Sequence, residues 1–401
     1  MPKFDETENI LELYMYLAGK SEVPDTWHKW TCISIVAACL SDRVFYRKLA
    51  HKVLPPNMYT MLVGSSGLGK GAAIDFGLQF FHPRMNLLYG GATKQALIDR
   101  MTKDQELEEE EIAGSKIFIV HDELGEAVGT GAIADSFIKA MTGWYGQTSM
   151  AFEENTRMHG RKVLSEPPCI NWLAGTTHEW LKDSIDVKAM LSGFFGRVCT
   201  IPGECDYSKR IYRQTTPLDY DIVKQYLQER FYELTFLEGE FQMLPAAQEI
   251  DEYWYMNRPN PEEEMAPFWR REHALVLKLA MIMSACDSLD RTIQPTHIVQ
   301  AQDLIAEVKE YMPVVIEKAV KGGVLTLQDR VKKKIFESHD GIRRTALVRY
   351  IFRYGAHARD LDEIIKQLKA SDSIEEEKRY NKCYYVKKKK PIINWGDIIP
   401  D

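Results

Sequence analysis

The chain has no C-x-x-C pair, and its seven cysteines are an odd number. That excludes both the usual zinc spacing and a fully paired disulfide framework. Long apolar runs are missing too: the longest, residues 30–40, has about half the length a membrane span needs. The first residues, Met1-Pro2-Lys3-Phe4-Asp5-Glu6, are acidic where a signal peptide is basic and then apolar. No internal repeat, His-ligand spacing or Ser–His–Asp arrangement stands out. These absences lead to the expectation of a protein of the reducing cytoplasm, with no membrane partner. What is present is a globular composition, 45% hydrophobic, 11% aromatic and 27% charged over 401 residues, long enough for two or three domains.

The net charge of −7 argues against nucleic-acid binding only on average. Residues 321–401 hold 19 Lys/Arg and 12 Asp/Glu, whereas residues 1–320 hold 32 and 46. A basic module attached to an acidic body gives such an asymmetry, and so does a solvated basic surface.

Residues 9–17 have helical apolar spacing, and Asp25-Thr26 is expected to cap a second helix running to Leu40. After a short β-like stretch at 44–46, Pro55-Pro56-Asn57 breaks the chain. Apolar strands are expected at 58–63, 117–120 and 170–174, with a helix over about 70–81 between the first two. Such alternation predicts an α/β fold with a parallel sheet covered on both faces. Beyond Pro217 the pattern is helical, at 220–232, 246–256, 269–286 and 295–311. Gly322-Gly323 reads as a linker to helices at 328–337, 345–354 and 360–369 and one β-wing arm at 382–387. The acidic run 104–111 reads as a solvated face. The aromatic clusters Trp27-His28-Lys29-Trp30 and Tyr253-Trp254-Tyr255 read as core rather than as base-stacking platforms.

Gly64-Ser65-Ser66-Gly67-Leu68-Gly69-Lys70 follows the first strand and opens a helix, satisfying the phosphate-loop pattern G-x-x-x-x-G-K. Glycines let backbone N–H groups close around phosphate oxygens, the helix N-terminus adds its dipole, and Lys70 reaches the β- and γ-phosphates. The next position normally carries the Ser or Thr hydroxyl that binds Mg²⁺. Here it is Gly71, followed by Ala72, so water would have to supply that ligand. The second strand ends in Asp122-Glu123. Asp122 is expected to hold Mg²⁺ and Glu123 to orient and deprotonate the attacking water, which together point to ATP hydrolysis.

These residues resemble the AAA+ ATPases, and more narrowly the helicase-like proteins of phages and mobile elements that share motifs with minichromosome-maintenance helicases. The resemblance spans about residues 25–386. It implies a helical N-terminal subdomain (1–55), an AAA+ P-loop core with a parallel sheet and a β-hairpin insert (56–216), a helical lid (217–321), a winged-helix-like domain (322–390) and a tail (391–401). In Leu173-Ala174-Gly175-Thr176-Thr177 it implies Thr176, or else Thr177, as a γ-phosphate sensor. In Gly193-Phe194-Phe195-Gly196-Arg197 it implies an arginine finger, Arg197, acting in a neighbouring subunit and therefore a ring, with six members expected. Trp269-Arg270-Arg271 resembles the lid helix with a second sensor arginine. Arg271 fits the register, and Arg270 fits nearly as well. A hairpin within 147–168 would bring Arg157, His159, Arg161 and Lys162 to the backbone of a threaded strand. Arg343, Arg344, Arg349, Arg353 and Lys387-Lys388-Lys389-Lys390 offer a second DNA contact or a protein dock. The implied activity is an ATP-dependent DNA helicase using ATP and Mg²⁺ on single strands or forks, with primase or polymerase among its partners. A helicase loader that uses ATP only as a switch is the alternative, and a degenerate nucleotide-binding assembly protein is a third reading.

Overall fold

The computed structural model describes residues 9–19, 21–49, 52–82, 85–91, 93–103, 116–129, 131–146, 153–156, 160–163, 166–184, 193–194, 196–203, 219–259, 266–320, 327–336, 338, 341–352, 358–371, 373–379 and 382–387. The chain divides into two compact units, Met1–Val320 and Lys321–Asp401.

In the larger unit, helix α1 (Ile10–Ala18) starts where Asn9 Oδ1 accepts from Glu12 N–H, and α2 (Asp25–Leu40) follows. The expected Asp25-Thr26 cap is not formed. Pro24 takes the N-cap position, and Asp25 lies in the first turn, where its charge suits the helix dipole. Helix α2 is buried on nearly every side, including Trp27 and Trp30. Strands β1 (Val44–Leu49) and β2 (Lys52–Leu54) then form an antiparallel pair.

The central sheet begins with β3 (Tyr59–Val63), which leads into α3 (Lys70–Leu78). It continues with β4 (Leu87–Tyr89), α4 (Lys94–Lys103), β5 (Lys116–His121), α5 (Leu124–Val128) and α6 (Ala132–Trp144). The short hairpin β6 (Glu153–Thr156) and β7 (Gly160–Val163) precedes β8 (Cys169–Thr176), α7 (His178–Ser184) and β9 (Val198–Pro202). Five strands pair in the order β4-β5-β8-β3-β9, all parallel. Their burial on both faces explains why β3 and β8 read as unbroken apolar runs. Helix α3 stops three residues before the expected end at 81, in a turn where Phe80 N–H reaches back to Gly77 O.

The remaining elements are α8 (Tyr220–Leu234), β10 (Gly239–Glu240), β11 (Gln242–Met243), α9 (Pro245–Met256), α10 (Ala266–Asp287), β12 (Thr292–Ile293) and α11 (Pro295–Val320). They share one continuous hydrophobic core with α2 and the sheet. Cys32, Cys39, Cys169, Cys199 and Cys286 are all buried free thiols. Within Tyr253-Trp254-Tyr255 the core reading fails for the two tyrosines: Tyr253 is 74% exposed and Tyr255 45%. Trp254 between them is half-buried and packs against the core, and the Arg258 guanidinium lies 5.2 Å from its ring centre and 4.3 Å from that of Tyr255.

The smaller unit packs α12 (Leu327–Phe336), α13 (Arg344–Phe352) and α14 (Ala358–Ala370) on an antiparallel sheet of β13 (Ile342–Arg343), β14 (Ile374–Arg379) and β15 (Lys382–Lys387), in the order β13-β15-β14. No described helix is long and apolar enough to cross a membrane.

Candidate phosphate-binding site

Leaving β3 the chain runs to β4 at one edge of the sheet, and leaving β8 it runs to β9 at the other. A crevice at the carboxyl ends of β3 and β8 follows from that reversal, and ligands of parallel sheets bind in such crevices. Lys70, Asp122, Glu123 and Thr176 lie at the ends of β3, β5 and β8 on this side.

The loop at 64–69 needs its glycines for identifiable reasons. Gly67 and Gly69 have φ of 81° and 88°, in the left-handed region that L side chains avoid. A Cβ on Gly64 would lie 2.8 Å from the Trp27 ring. Ser65, Ser66 and Gly67 are exposed, Leu68 is half-buried, and no side chain caps the nine-residue helix α3, so its first N–H groups face the crevice uncapped. Lys70 is 5% exposed and its Nζ donates to Gly64 O and Ser65 O, each at 2.9 Å. Burial pulls the lysine pKa down, while Glu123 and Glu179 pull it back. Gly71 is half-buried and Ala72 exposed.

Asp122 is exposed at the end of β5, and its Oδ1 accepts from Glu123 N–H at 3.0 Å. Burial raises the Glu123 carboxyl pKa, Lys70 opposes this, and Glu126 and Asp122 add to the rise. A raised carboxyl beside a lysine is the environment of a general base. Thr176 ends β8 fully buried, and its Oγ1 has no hydrogen-bond partner among the described residues. Its carbonyl accepts from Gly64 N–H at 3.2 Å, which ties this strand to the phosphate loop. Thr177 is already committed, its Oγ1 accepting from Trp180 N–H at 3.2 Å as the cap of α7.

Three neighbours had no signal in the sequence. Tyr89, at the end of β4, hydrogen-bonds Asp122 and Asp75; its phenol is raised by burial and by those two charges. Trp27 lies beneath the loop, its Nε1 donating to Ile201 O at 3.0 Å and its ring 6.0 Å from Lys70 Nζ. Gly175 separates the two carboxylate-bearing and phosphate-loop strands by the least space a residue can take.

Arg197 and Arg271 are elsewhere. Val198 pairs with Tyr59, the first residue of β3, so Arg197 is at the amino edge of the sheet, about 16 Å of strand from the phosphate loop. Its Nη1 donates to Gly193 O at 2.7 Å, and Arg271 Nη1 donates to Pro267 O at 3.1 Å. A Cβ on Gly193 would be 2.8 Å from Arg197 Nη1 and 3.6 Å from Arg271 Nη2, so the two guanidiniums are neighbours. Burial lowers the Arg197 pKa first and the Arg271 charge lowers it further. No carboxylate pairs with either among the described residues. Arg270 is exposed on the same helix, so it is Arg271 that stands beside Arg197.

The described strands of the hairpin pair Glu154 with Lys162 and Asn155 with Arg161, while Arg157 and His159 fall outside the described residues. In the smaller unit Arg344 forms a two-pronged ion pair with Asp362, Arg343 donates to the Tyr384 phenol at 2.7 Å and Arg349 is exposed. Arg353, residues 388–401 and the acidic run 104–111 fall outside the described residues. No cluster of three or more His, Cys, Asp or Glu able to hold a metal is found among the described residues, so Mg²⁺ here would rest on Asp122 together with ligands from phosphate and water. No protein-family model matches the chain, and no curated protein matches it significantly.

Proposed function

We propose that the chain is an ATP-hydrolysing AAA+ motor that closes into a ring, six-membered by resemblance, and separates DNA strands. The observation that carries this reading is the division of charges between the two edges of the sheet. Lys70, Asp122, Glu123 and the Thr176 hydroxyl, unpartnered among the described residues, gather at the carboxyl edge; Arg197 and Arg271 stand at the amino edge with no carboxylate partner among the described residues. Two adjacent guanidiniums without a carboxylate suit an anion brought from outside, and a second copy of the chain carries such an anion on its phosphate loop.

In this reading the 64–72 backbone and Lys70 hold the β- and γ-phosphates, and Asp122 holds Mg²⁺, which when bound neutralises phosphate charge. Glu123 orients the attacking water and accepts its proton. Thr176 Oγ1 hydrogen-bonds the γ-phosphate or the water. Arg197 and Arg271 of the next copy stabilise charge on the transferring phosphoryl group. The segment that holds β6 and β7 also carries Arg157, His159, Arg161 and Lys162 in its sequence, which would grip a strand by its phosphates, as a motor indifferent to sequence requires. The smaller unit, three helices with a β14–β15 hairpin, supports a winged-helix-like module for duplex or partner proteins.

The test is subunit mixing. Lys70→Ala and Arg197→Ala proteins should each lack ATP hydrolysis. Mixed in equal amounts, they should regain roughly a quarter of wild-type turnover, because random rings restore that share of interfaces. Failure to regain any turnover would remove the shared site. Wild-type protein should also unwind a forked duplex in an ATP-dependent way; hydrolysis without unwinding would favour the loader.

A further inference from the structure

Three side chains far apart in the sequence form a hydrogen-bonded chain that the ATPase reading does not use. Lys48 is on β1, Asp251 on α9 and His273 on α10. His273 Nε2 lies 2.8 Å from Asp251 Oδ2, and His273 Nδ1 lies 3.0 Å from Lys48 Nζ. A carboxylate only accepts, so the neutral ring carries its proton on Nε2 and offers the Nδ1 lone pair to Lys48. Asp251 is 7% exposed, and its Oδ1 has no hydrogen-bond partner among the described residues. The Tyr255 ring, 4.7 Å from the imidazole centre, and the Trp254 ring, at 6.5 Å, hold the imidazole plane from its other sides.

A stitch between strand and helices would be stronger if the ammonium met the carboxylate directly. Placing an imidazole between them forgoes that attraction and reproduces instead the order nucleophile, base, orienting carboxylate. The charges around Lys48 act in the same sense. Partial desolvation lowers its pKa most, and Lys52 and Arg258 lower it further against the pull of Asp251. More of the amine is therefore free to react near neutral pH. Lys48 itself is exposed, so a reagent can reach it.

We propose that Lys48 is an acyl-acceptor site at which its amine attacks the carbonyl carbon of a small acyl phosphate while His273 removes the amine proton and Asp251 steadies the imidazolium. The C–N bond forms as the C–O bond to phosphate breaks. Inorganic phosphate leaves with the bonding pair, and the proton passes from Nζ to His273 Nδ1 and then to solvent. The products are an amide on Lys48 and phosphate, with no change of oxidation state. Lys52, on the paired strand β2, favours an anionic donor over an uncharged thioester. Acylation removes the Lys48 charge from the face where β1, α9 and α10 meet.

The test is a time course of the full chain with acetyl phosphate near neutral pH, read by site-resolved mass spectrometry. Lys48 should acquire acetyl at least about tenfold faster than the exposed Lys139 and Lys366, the scale of general-base assistance. His273→Gln and Asp251→Asn should bring Lys48 down to the rate of those two lysines and leave theirs unchanged. In the unaltered chain the Lys48 rate should rise with pH earlier than that of Lys139, a measurement that requires no variant to fold. Equal rates at the three lysines, or a fast Lys48 in both variants, would overturn the site. The uncharged thioester N,S-diacetylcysteamine reacting at Lys48 as fast as acetyl phosphate, each relative to Lys139, would overturn the donor class.

Discussion

Gly175 brings the backbone of Asp122 against the phosphate-loop lysine: a Cβ built on it would lie 2.4 Å from Asp122 O and 3.4 Å from Lys70 Cβ. β8 runs between β5 and β3, so a residue of any size at this point pushes the Asp122 carboxylate and Lys70 apart. Gly175→Ala should cost about 1–3 kcal/mol of stability through overpacking. It should cut ATP turnover at least about tenfold, because misplacement of around an ångström between reacting groups has effects of that size. Turnover of the folded variant at a temperature well below its Tm separates the two effects.

Thr176 and Thr177 should respond oppositely to loss of the hydroxyl. Thr176 Oγ1 is buried without a partner among the described residues, so Thr176→Val removes a polar atom that contributes no hydrogen bond to them, and stability should hold or rise. Its ATP turnover should fall with nucleotide binding retained. Thr177→Val removes the cap on Trp180 N–H and should cost about 0.5–2 kcal/mol. Calorimetry and steady-state hydrolysis on the two variants check the split; equal loss of turnover in both would remove Thr176 from the phosphate.

What could be read in advance was local. An apolar run followed by G-x-x-x-x-G-K, or one ending in two acids, is written within a dozen residues, and those elements are found at 59–78 and 116–123. The unread features depend on contacts between distant segments. Trp27 beneath Gly64 and Gly203 is one, and Arg197 beside Arg271 is another. Strand β14, Ile374–Arg379, has no strand signal in sequence because five of its six residues are charged; among the described residues it pairs with β15 alone and needs no apolar alternation.

Gly71 tests how much the missing hydroxyl matters. A Cβ there meets nothing within 4 Å, so Gly71→Ser fits without strain and also favours the helix. If Asp122 and the phosphates hold Mg²⁺ with water in place of a side chain, the serine should lower the Mg²⁺ concentration for half-maximal hydrolysis by a few-fold. A magnesium titration of the ATPase rate reads this directly, and an unchanged midpoint would mean the metal does not approach this helix start.

Lys278 gives the larger unit a pH dependence of its own. It sits in the apolar run of α10, 2% exposed, with Nζ donating to Asn57 O at 2.9 Å and to Asn57 Oδ1 at 2.5 Å, and 4.1 Å from the centre of the Tyr145 ring. Burial lowers its pKa from 10.5 to about 7. The unfolded chain therefore holds a proton that the folded chain has released between those two values, and unfolding free energy from this group rises with pH across that window. The slope approaches about 1.4 kcal/mol per pH unit at its steepest. Cys169 and Cys199, pushed by burial from 9.0 to about 12, act in the opposite sense above pH 9.0, so the comparison must be with Lys278→Met, which retains both. Urea midpoints measured from pH 6 to pH 10 should show wild type gaining on the variant as pH rises, with the variant relatively most favoured at the acid end; parallel curves would show that Lys278 stays charged in the fold.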